Sequence, residues 1–381
     1  MPMYKGVINR TRALTFNAFN AVRDDLQFLG STTPLHAYYV GCLGVGNLGD
    51  DALYWAICEL FEERVTLRTT GATTPLVWAR RATARDTHVM LGGGTLVKKG
   101  RSPYLGRIED WRSAHPAARF VVFGSGVGDA EMWRKFGVKT DIASWRAALE
   151  QADYIGVRGP LSRKHLQEWG VTREVAIIGD PAMWFARPEI RSKTMNKRIG
   201  LNFGGAGGQI HGQNEAAVLD FAARFMQALV QRGWQITLFP VTKSDVAYMQ
   251  AAVRQAGLSN VAMHTAMLDL GRTLDALEQQ DVFVGEKLHS VIFASCTYTP
   301  SVMIEYRTKC RDFMASIDRE QWTFRTDRLD VDETLAAVDS LYNNIEWHQA
   351  DLQRHLNYYR TQLVAAADHV VALFTPGRSY G

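Results

Sequence analysis

From residue 36 onward the chain alternates short apolar runs with amphipathic stretches. HAYYVGCLG (36–44) is a β-rich run that breaks into glycine. In the following GVGNLGDDALYWAICELFEE (44–63), Leu53, Ala56, Ile57, Leu60 and Phe61 recur at helical spacing. The predicted unit is strand, Gly/Asn/Asp loop, helix. It repeats. THVMLGGGTLV (87–97) and RFVVFGSGVG (119–128) read as strands ending in glycine. DYIGVRGPLSRKHLQEWG (153–170) reads as a short strand, an Arg-Gly-Pro turn and a helix, with Ser162 placed to cap it and Gly170 to close it. EVAIIGDPAMWF (174–185) is a further strand ended by Gly-Asp-Pro.

A charged stretch, RPEIRSKTMNKR (186–197), interrupts the pattern, which then restarts. RIGLNFGGAGG (198–208) predicts a strand running into a glycine-rich loop, and EAAVLDFAARFMQALVQRG (215–233) an amphipathic helix. Strands at 234–241, 261–266 and 300–306, helices at 245–257 and 270–279, and a strand-turn-helix unit at 281–296 complete the second half. A further helix is predicted at 12–29, and residues 332–373 predict a long helical tail.

Strands alternating with helices, with glycines at the strands' carboxyl ends, predict parallel sheets covered on both faces. The fold expected is α/β: two Rossmann-like domains whose parallel sheets face a cleft, plus long C-terminal helices. The divisions are 1–33 (N-terminal helix), 34–190 (first Rossmann-like domain, acceptor side), 198–330 (second domain, donor side) and 331–381 (helical tail). Ligands of open α/β sheets bind beyond the carboxyl ends of the strands, so the shared cleft is the expected site.

Composition narrows the function. The 381 residues are 46% hydrophobic and 22% charged, ordinary globular usage that excludes a disordered chain or a coiled coil. No apolar run approaches the roughly 18 residues that span a bilayer, and the first residues carry no secretory pattern, so a cytoplasmic protein is expected. A net charge of +4 is too mild for a nucleic-acid binder. Residues 71–120 nevertheless hold nine Lys/Arg against three Asp/Glu. That bias fits solvated faces, or attraction to an anionic substrate and a peripheral position at the inner face of a membrane. The four cysteines, Cys42, Cys58, Cys296 and Cys310, match no zinc spacing and read as inert thiols.

The candidate chemistry clusters at predicted strand ends. Gly44, Gly46 and Gly49 satisfy G-x-G-x-x-G, but Asn47, Asp50 and Asp51 put carboxylates where a pyrophosphate would sit. The acidic pair suits sugar hydroxyls better, either to hold them or to deprotonate one, or it caps a helix. Gly94 and Ser125, in GGGT and GSGVG, mark close backbone approaches or tight turns. Arg158 follows a strand and suits a carboxylate or phosphate, or a salt bridge. In GEKLHSVIFASC (285–296), Lys287 and His289 lie at a strand-to-helix turn. Lys309 and Arg307 follow the next strand, so these groups are expected to converge on one anion, with Asn202, Gly204, Gly205 and the rest of that loop supplying donors.

These pieces resemble, in order, the polysaccharide pyruvyltransferase family: GCLGVGNLGDDALYWA, MLGGGTL, FGSGVG, YIGVRGPLS, IIGDPA, IGLNFGG, and GEKLHSVIFAS followed by EYRTK. The resemblance covers about residues 38–315. It implies a fold similar to GT-B glycosyltransferases. It also implies transfer of pyruvate from phosphoenolpyruvate, as co-substrate with no further cofactor and no metal, to two hydroxyls of a saccharide in exopolysaccharide or cell-surface polysaccharide synthesis. The product is a ketal, and phosphate is released. By this resemblance the central arginine is Arg158, the acid His289 and the late lysine Lys309. The arginine usual two before the histidine is Lys287 here, which keeps the charge and loses the fork. Asp50 is the candidate for orienting or deprotonating the acceptor, beside Asn47, Asp51, Gly94 and Ser125. Phosphoenolpyruvate and a free or lipid-linked saccharide are the expected partners, and packing between subunits is open to the helices at 12–29 and 332–373. A nucleotide-sugar glycosyltransferase, with Glu286 or Glu305 for a ribose, and a non-catalytic assembly subunit are the competing readings.

Overall fold

A computed structural model describes residues 35–69, 88–98, 102–139, 141–191 and 195–375. The helix expected at 12–29 and much of the basic 71–120 segment lie outside the described residues.

The first sheet is seven-stranded and parallel throughout. Its strands are β1 (His36–Val40), β2 (Thr66–Thr69), β3 (His88–Leu91), β4 (Gly94–Val97), β5 (Phe120–Val127), β6 (Tyr154–Val157) and β7 (Ala176–Ile177), in the order β2-β1-β3-β5-β6-β7, with β4 paired to β5. Helices α1 (Leu48–Leu60), α2 (Pro103–Ala114), α3 (Ala130–Lys135), α4 (Ile142–Leu149) and α5 (Pro160–Glu168) cover it. The second sheet is also parallel: β8 (Arg198–Asn202), β9 (Gln235–Leu238), β10 (Ala262–Met263), β11 (Val282–Gly285), β12 (Ser301–Glu305) and β13 (Thr323–Arg325), ordered β10-β9-β8-β11-β12-β13. Its helices are α6 (Glu215–Gln231), α7 (Lys243–Gln255), α8 (Leu270–Glu278), α9 (Leu288–Cys296) and α10 (Thr308–Ser316), followed by α11 (Val331–Asn343) and α12 (Ile345–Phe374).

Several local expectations change. GSGV is the end of a strand and not a turn after one: β5 runs to Val127, and Gly124, at φ +70°, absorbs a register shift in its pairing with β6. GGGT divides β3 from β4. Short β2 and β13 carry too few positions for an alternation to be seen in sequence. Ser162 does not cap α5; the N-cap is Gly159, which has no side chain to offer.

The capping group comes from the other domain. Asp312, on α10, accepts from the amides of Leu161 (2.8 Å) and Ser162 (3.1 Å) through Oδ1 and from the Ser162 hydroxyl (2.5 Å) through Oδ2. A carboxylate suits a helix N-terminus, where free N–H groups and the helix dipole both favour it. Gly159 is needed here, since a methyl on it would lie 2.3 Å from Asp312 Oδ1. Leu48 N also donates to Val241 O (3.2 Å), and Arg187 N to Cys296 O (2.8 Å), across the same seam.

Helix α12 spans both domains. Leu352, Leu356 and Tyr359 join a core with residues of α9 and α10, whereas Leu363, Ala367, Val370 and Phe374 pack with Tyr39, Phe61 and Val121. Arg319, fully buried, anchors its start by donating to His348 O (3.0 Å) and Asp351 Oδ2 (2.8 Å).

Asp312→Ala strands the Leu161 and Ser162 amides inside the interface. Urea denaturation is expected to show a loss of about 1–3 kcal/mol. Asp312→Asn, which keeps a carbonyl acceptor, is expected to lose less; equal stability of all three proteins would refute the cap.

Candidate active site

The catalytic candidates occupy equivalent places in the βα grammar. Strand β6 ends at Val157 and delivers Arg158; β11 and β12 end just before α9 and α10, whose second residues are His289 and Lys309. Asp50 is the third residue of α1. Parallel strands leave all these ends on the same edges of the two sheets, and the edges face each other.

Arg158 is 1% exposed. Its Nη2 donates to Thr95 Oγ1 (3.0 Å), and its Nη1 lies 3.4 Å from Asp180 Oδ2. Gly126 makes room for it, because a methyl there would sit 2.4 Å from Nη2. Asp180 is fully buried; its Oδ1 accepts from Ala182 N (3.0 Å), capping the 3₁₀ turn Pro181–Phe185, and its Oδ2 is 3.9 Å from His289 Nε2. The opposite side of the imidazole rests on the first turn of α1: a methyl built on Gly49 would be 2.0 Å from His289 Nδ1. So His289 of one domain is held between Gly49 and Asp180 of the other.

The electrostatics follow from burial. His289 is held well below the usual imidazole range by desolvation, with Lys309 and Arg158 adding to it, so the ring is neutral at pH 7. Lys309 is drawn down to about 8, chiefly by burial, with Arg307 and Arg158 contributing and Cys310 and Asp50 opposing. Asp50 is raised by burial against the pull of Lys309 and Lys98; it also accepts from Asn47 Nδ2 at 2.7 Å. Beside it, burial and the Asp50 charge push the Cys42 thiol up to about 12, which keeps it protonated and unreactive. Burial also raises the Asp180 carboxyl, with Arg158 working against it.

The other sequence candidates are engaged elsewhere. Asn202 is structural: its Nδ2 donates to Phe239 O (2.8 Å) and its Oδ1 accepts from Lys287 N (2.8 Å). The glycine-rich loop gives amides to the protein's own carboxylates, Gly204 N to Glu286 Oε2 (2.9 Å), and Ala206 N (2.5 Å) and Gly208 N (3.0 Å) to Glu215 Oε1. The Gly205 carbonyl accepts from Lys287 Nζ (2.8 Å), so Lys287 braces that loop. Lys287, Arg307 and Lys309 do gather around one ring, each within 5.2 Å of the Tyr306 centroid. Arg307 donates to Gln209 O (2.8 Å) and Oε1 (3.1 Å). Glu286 is pushed up to about 7 by burial, and Glu305 pairs with Arg311 (2.8 Å).

In the first domain, Asn47 caps α1 through the Gly49 amide (3.0 Å), and Asp51 accepts from Gly44 N (2.9 Å). Gly94, at φ +98°, brings its backbone close to Asp50, since a methyl there would lie 3.7 Å from Asp50 Oδ1. Ser125 is fully buried and donates to Gly92 O.

Sequence reasoning passed over Asp180, Thr95 and Asp312. Asp180 carried the same signal as Arg158, a polar residue at a strand's end in Gly-Asp-Pro. Asp312 carried none, because its partners lie 150 residues away. Among the described residues, no group of three or more His, Cys, Asp or Glu is arranged to hold a metal ion.

Solved structures share the architecture at low identity. A glycosyltransferase from Rickettsia africae superposes with a TM-score of 0.55 at 10% identity, covering 91% of this chain and 100% of that one. MnaA of S. aureus, solved with UDP, gives 0.54 at 11% identity, covering 91% and 99%. The likeness is one of fold, two facing parallel sheets of the GT-B kind. No curated protein matches the chain in sequence. The profile described as polysaccharide pyruvyl transferase matches residues 47–308, which take in Asp50, Arg158, Asp180 and His289, and the chain therefore belongs to that family.

Proposed function

We propose that the chain transfers pyruvate from phosphoenolpyruvate to two hydroxyls of a saccharide, forming a ketal and releasing phosphate. The observation that carries this reading is a pair of orphaned nitrogens. Arg158 Nε and His289 Nε2, from facing domains, are buried without a hydrogen-bond partner, beside the ammonium of Lys309. Buried donors left unmade cost free energy, and buried cations ask for counter-charge. Phosphoenolpyruvate brings a carboxylate and a phosphate to such a place.

In this mechanism, Arg158 and Lys309 grip the anionic oxygens. His289 Nε2 gives its proton to the methylene carbon, and positive charge develops at C2. One acceptor hydroxyl, oriented by Asp50, attacks C2 and loses its proton; the C2–O bond to phosphate breaks; the second hydroxyl then closes the ketal. Of the two hydroxyl protons, one replaces the proton given by His289 and the other leaves with phosphate. Fixed cations in a closed cleft stabilise the charge that forms as phosphate departs. The neutral state of His289 in the free protein is no obstacle. Burial is the main cause of the depressed imidazole, with Lys309 and Arg158 adding to it; an incoming anion offsets those two charges, and the mechanism requires that donor binding bring the proton with it.

The same reading extends to a saccharide or lipid-linked saccharide acceptor and to work in the cytoplasm, near the membrane's inner face. Among the described residues, no helix is long and apolar enough to cross a membrane.

Phosphate release from phosphoenolpyruvate with candidate saccharides tests the activity. His289→Ala or Arg158→Ala is expected to lower turnover about 10²–10⁴-fold, and near-normal turnover in either would end the proposal. Calorimetry at pH 7 in buffers of different ionisation enthalpy is expected to show proton uptake on phosphoenolpyruvate binding, absent in His289→Gln.

The pH dependence has a worked sign. Lys309 titrates at about 8 in the free protein, so in His289→Gln, where no proton is taken up on binding, donor affinity is full below that value and falls as pH rises through it. Lys309→Arg, charged throughout, is expected to remove that alkaline limb. If the variant keeps it, Lys309 is not the group that titrates.

A further inference from the structure

Arg158, His289 and Lys309 carry the proposed reaction, and one buried group in their midst has no part in it. Asp180 is fully buried, and its two oxygens do different things. Oδ1 accepts from Ala182 N at 3.0 Å and caps the 3₁₀ turn Pro181–Phe185. Oδ2 is turned to the catalytic groups, 3.4 Å from Arg158 Nη1 and 3.9 Å from His289 Nε2. A cap needs one side-chain oxygen, which serine or asparagine supplies as well. The second oxygen, with its charge, is what an aspartate adds.

The carboxylate is fixed from both sides. Gly179 before it, at φ +89°, lies against Tyr359 of α12, where a methyl would be 2.6 Å from the ring. Pro181 after it packs on Gly124 of β5, where a methyl would be 2.3 Å from Pro181 Cγ. Ala182 and Met183 of the turn share a core with Leu48 of α1 and with Leu288 and Ile292 of α9, and Ala182 O accepts from Cys296 Sγ at 3.3 Å. The turn that holds Asp180 is thus packed on the helix that carries His289.

The groups facing the imidazole come from four elements. Arg158 follows β6, Lys309 lies on α10, Asp180 lies in the turn, and α1 offers Gly49, which has no charge. Burial disfavours an imidazolium here, and Lys309 and Arg158 add to it. Asp180 opposes them. At 3.9 Å the contact is too long for a hydrogen bond, so Nε2 stays free for the donor, yet opposite charges at that distance attract strongly out of water. Asp180 in turn faces Arg158, His289 and the charge of Asp50 from α1. Burial raises its carboxyl, and Arg158 works against that. An imidazolium beside it favours the carboxylate further, and the carboxylate favours the imidazolium by the same amount.

We propose that Asp180 is a positioning residue of the reaction: it supplies the counter-charge with which His289 holds its proton in the donor complex until the methylene carbon takes it. The inference rests on the pyruvyl-transfer reading and gives a role within it to a residue that touches neither substrate.

Full-length Asp180→Asn keeps an oxygen for the Ala182 amide and removes the charge. Phosphate release at saturating phosphoenolpyruvate and saccharide is followed across pH for wild type and variant. The reaction needs the imidazolium, so kcat is full at low pH and falls as pH rises through the His289 value of the donor complex. Loss of a neighbouring carboxylate lowers that value. The alkaline limb of kcat is expected to move to lower pH by about 1–3 units, the range for an opposite charge at this distance. A limb left in its wild-type place, whatever the loss of rate or of melting temperature, means that Asp180 only caps its turn and overturns the proposal. If Asp180→Asn does not fold, Asp180→Ser, whose hydroxyl also caps, reads the same limb. Wild type that releases no phosphate with any saccharide ends the pyruvyl-transfer reading alone. The coupling is then read by nitrogen NMR of the His289 ring with inorganic phosphate present. The ring is expected to titrate about 1–3 units lower in the variant, and equal values overturn the role of Asp180.

Discussion

The cap that Asp312 provides to α5 is the interaction on which the site's geometry depends. Arg158 sits immediately before that helix, and Lys309 lies three residues before Asp312 on α10. One buried carboxylate therefore ties the element carrying the first domain's cation to the element carrying the second's. A helix N-terminus has four free amides, and in this protein two of them are satisfied only when the domains meet. The Ser162 hydroxyl extends the link by accepting from Val127 N (2.9 Å) at the end of β5. The second seam contact, His289 on Gly49, works in the same direction, because only a residue without a side chain lets the imidazole approach the α1 backbone.

This closeness has an electrostatic consequence. Packing His289 and Lys309 beside Arg158 and out of water disfavours the charged forms of the imidazole and the ammonium. Asp180, beside Arg158 and His289, and Asp50, which Lys309 influences, are the nearby counter-charges. Each cation thus has a carboxylate close by, and burial disfavours the charge of both carboxyls. Perturbed groups of this kind gather where chemistry is done. Asp180 is held from a third direction as well: Tyr359 of α12 packs on Gly179, where a methyl would be 2.6 Å from its ring. The long C-terminal helix thus reaches the residue that stands between Arg158 and His289.

The glycine-rich loop after β8 shows how a sequence motif acquires another role. Its amides could have faced an anionic ligand, as helix and loop N–H groups often do. Here Glu286 and Glu215 occupy three of them. Lys287 turns back onto the same loop instead of joining His289, which is what a flexible single-point donor can do and a planar fork does less readily. Ser125 shows the same principle in the first domain: it lies in a glycine-flanked segment, yet the strand continues through it and turns its hydroxyl to Gly92 O.

Sequence alone determined the two parallel sheets, because period-two apolar runs ending in glycine and followed by amphipathic helices leave little choice of architecture. It also determined that Arg158, His289, Lys309 and Asp50 stand at strand ends or helix starts, since each follows directly from the boundary of its own element. Tertiary structure decided which of those ends face each other, and which polar groups are already spent. Asp312 and Thr95 owe their contacts to neighbours from other elements, Asp312 to partners about 150 residues away, and no local pattern encodes such a contact. The state of His289 belongs to the same class. An imidazole in a sequence has its ordinary basicity; the loss of water and two neighbouring cations, brought to it by the fold, hold it well below that.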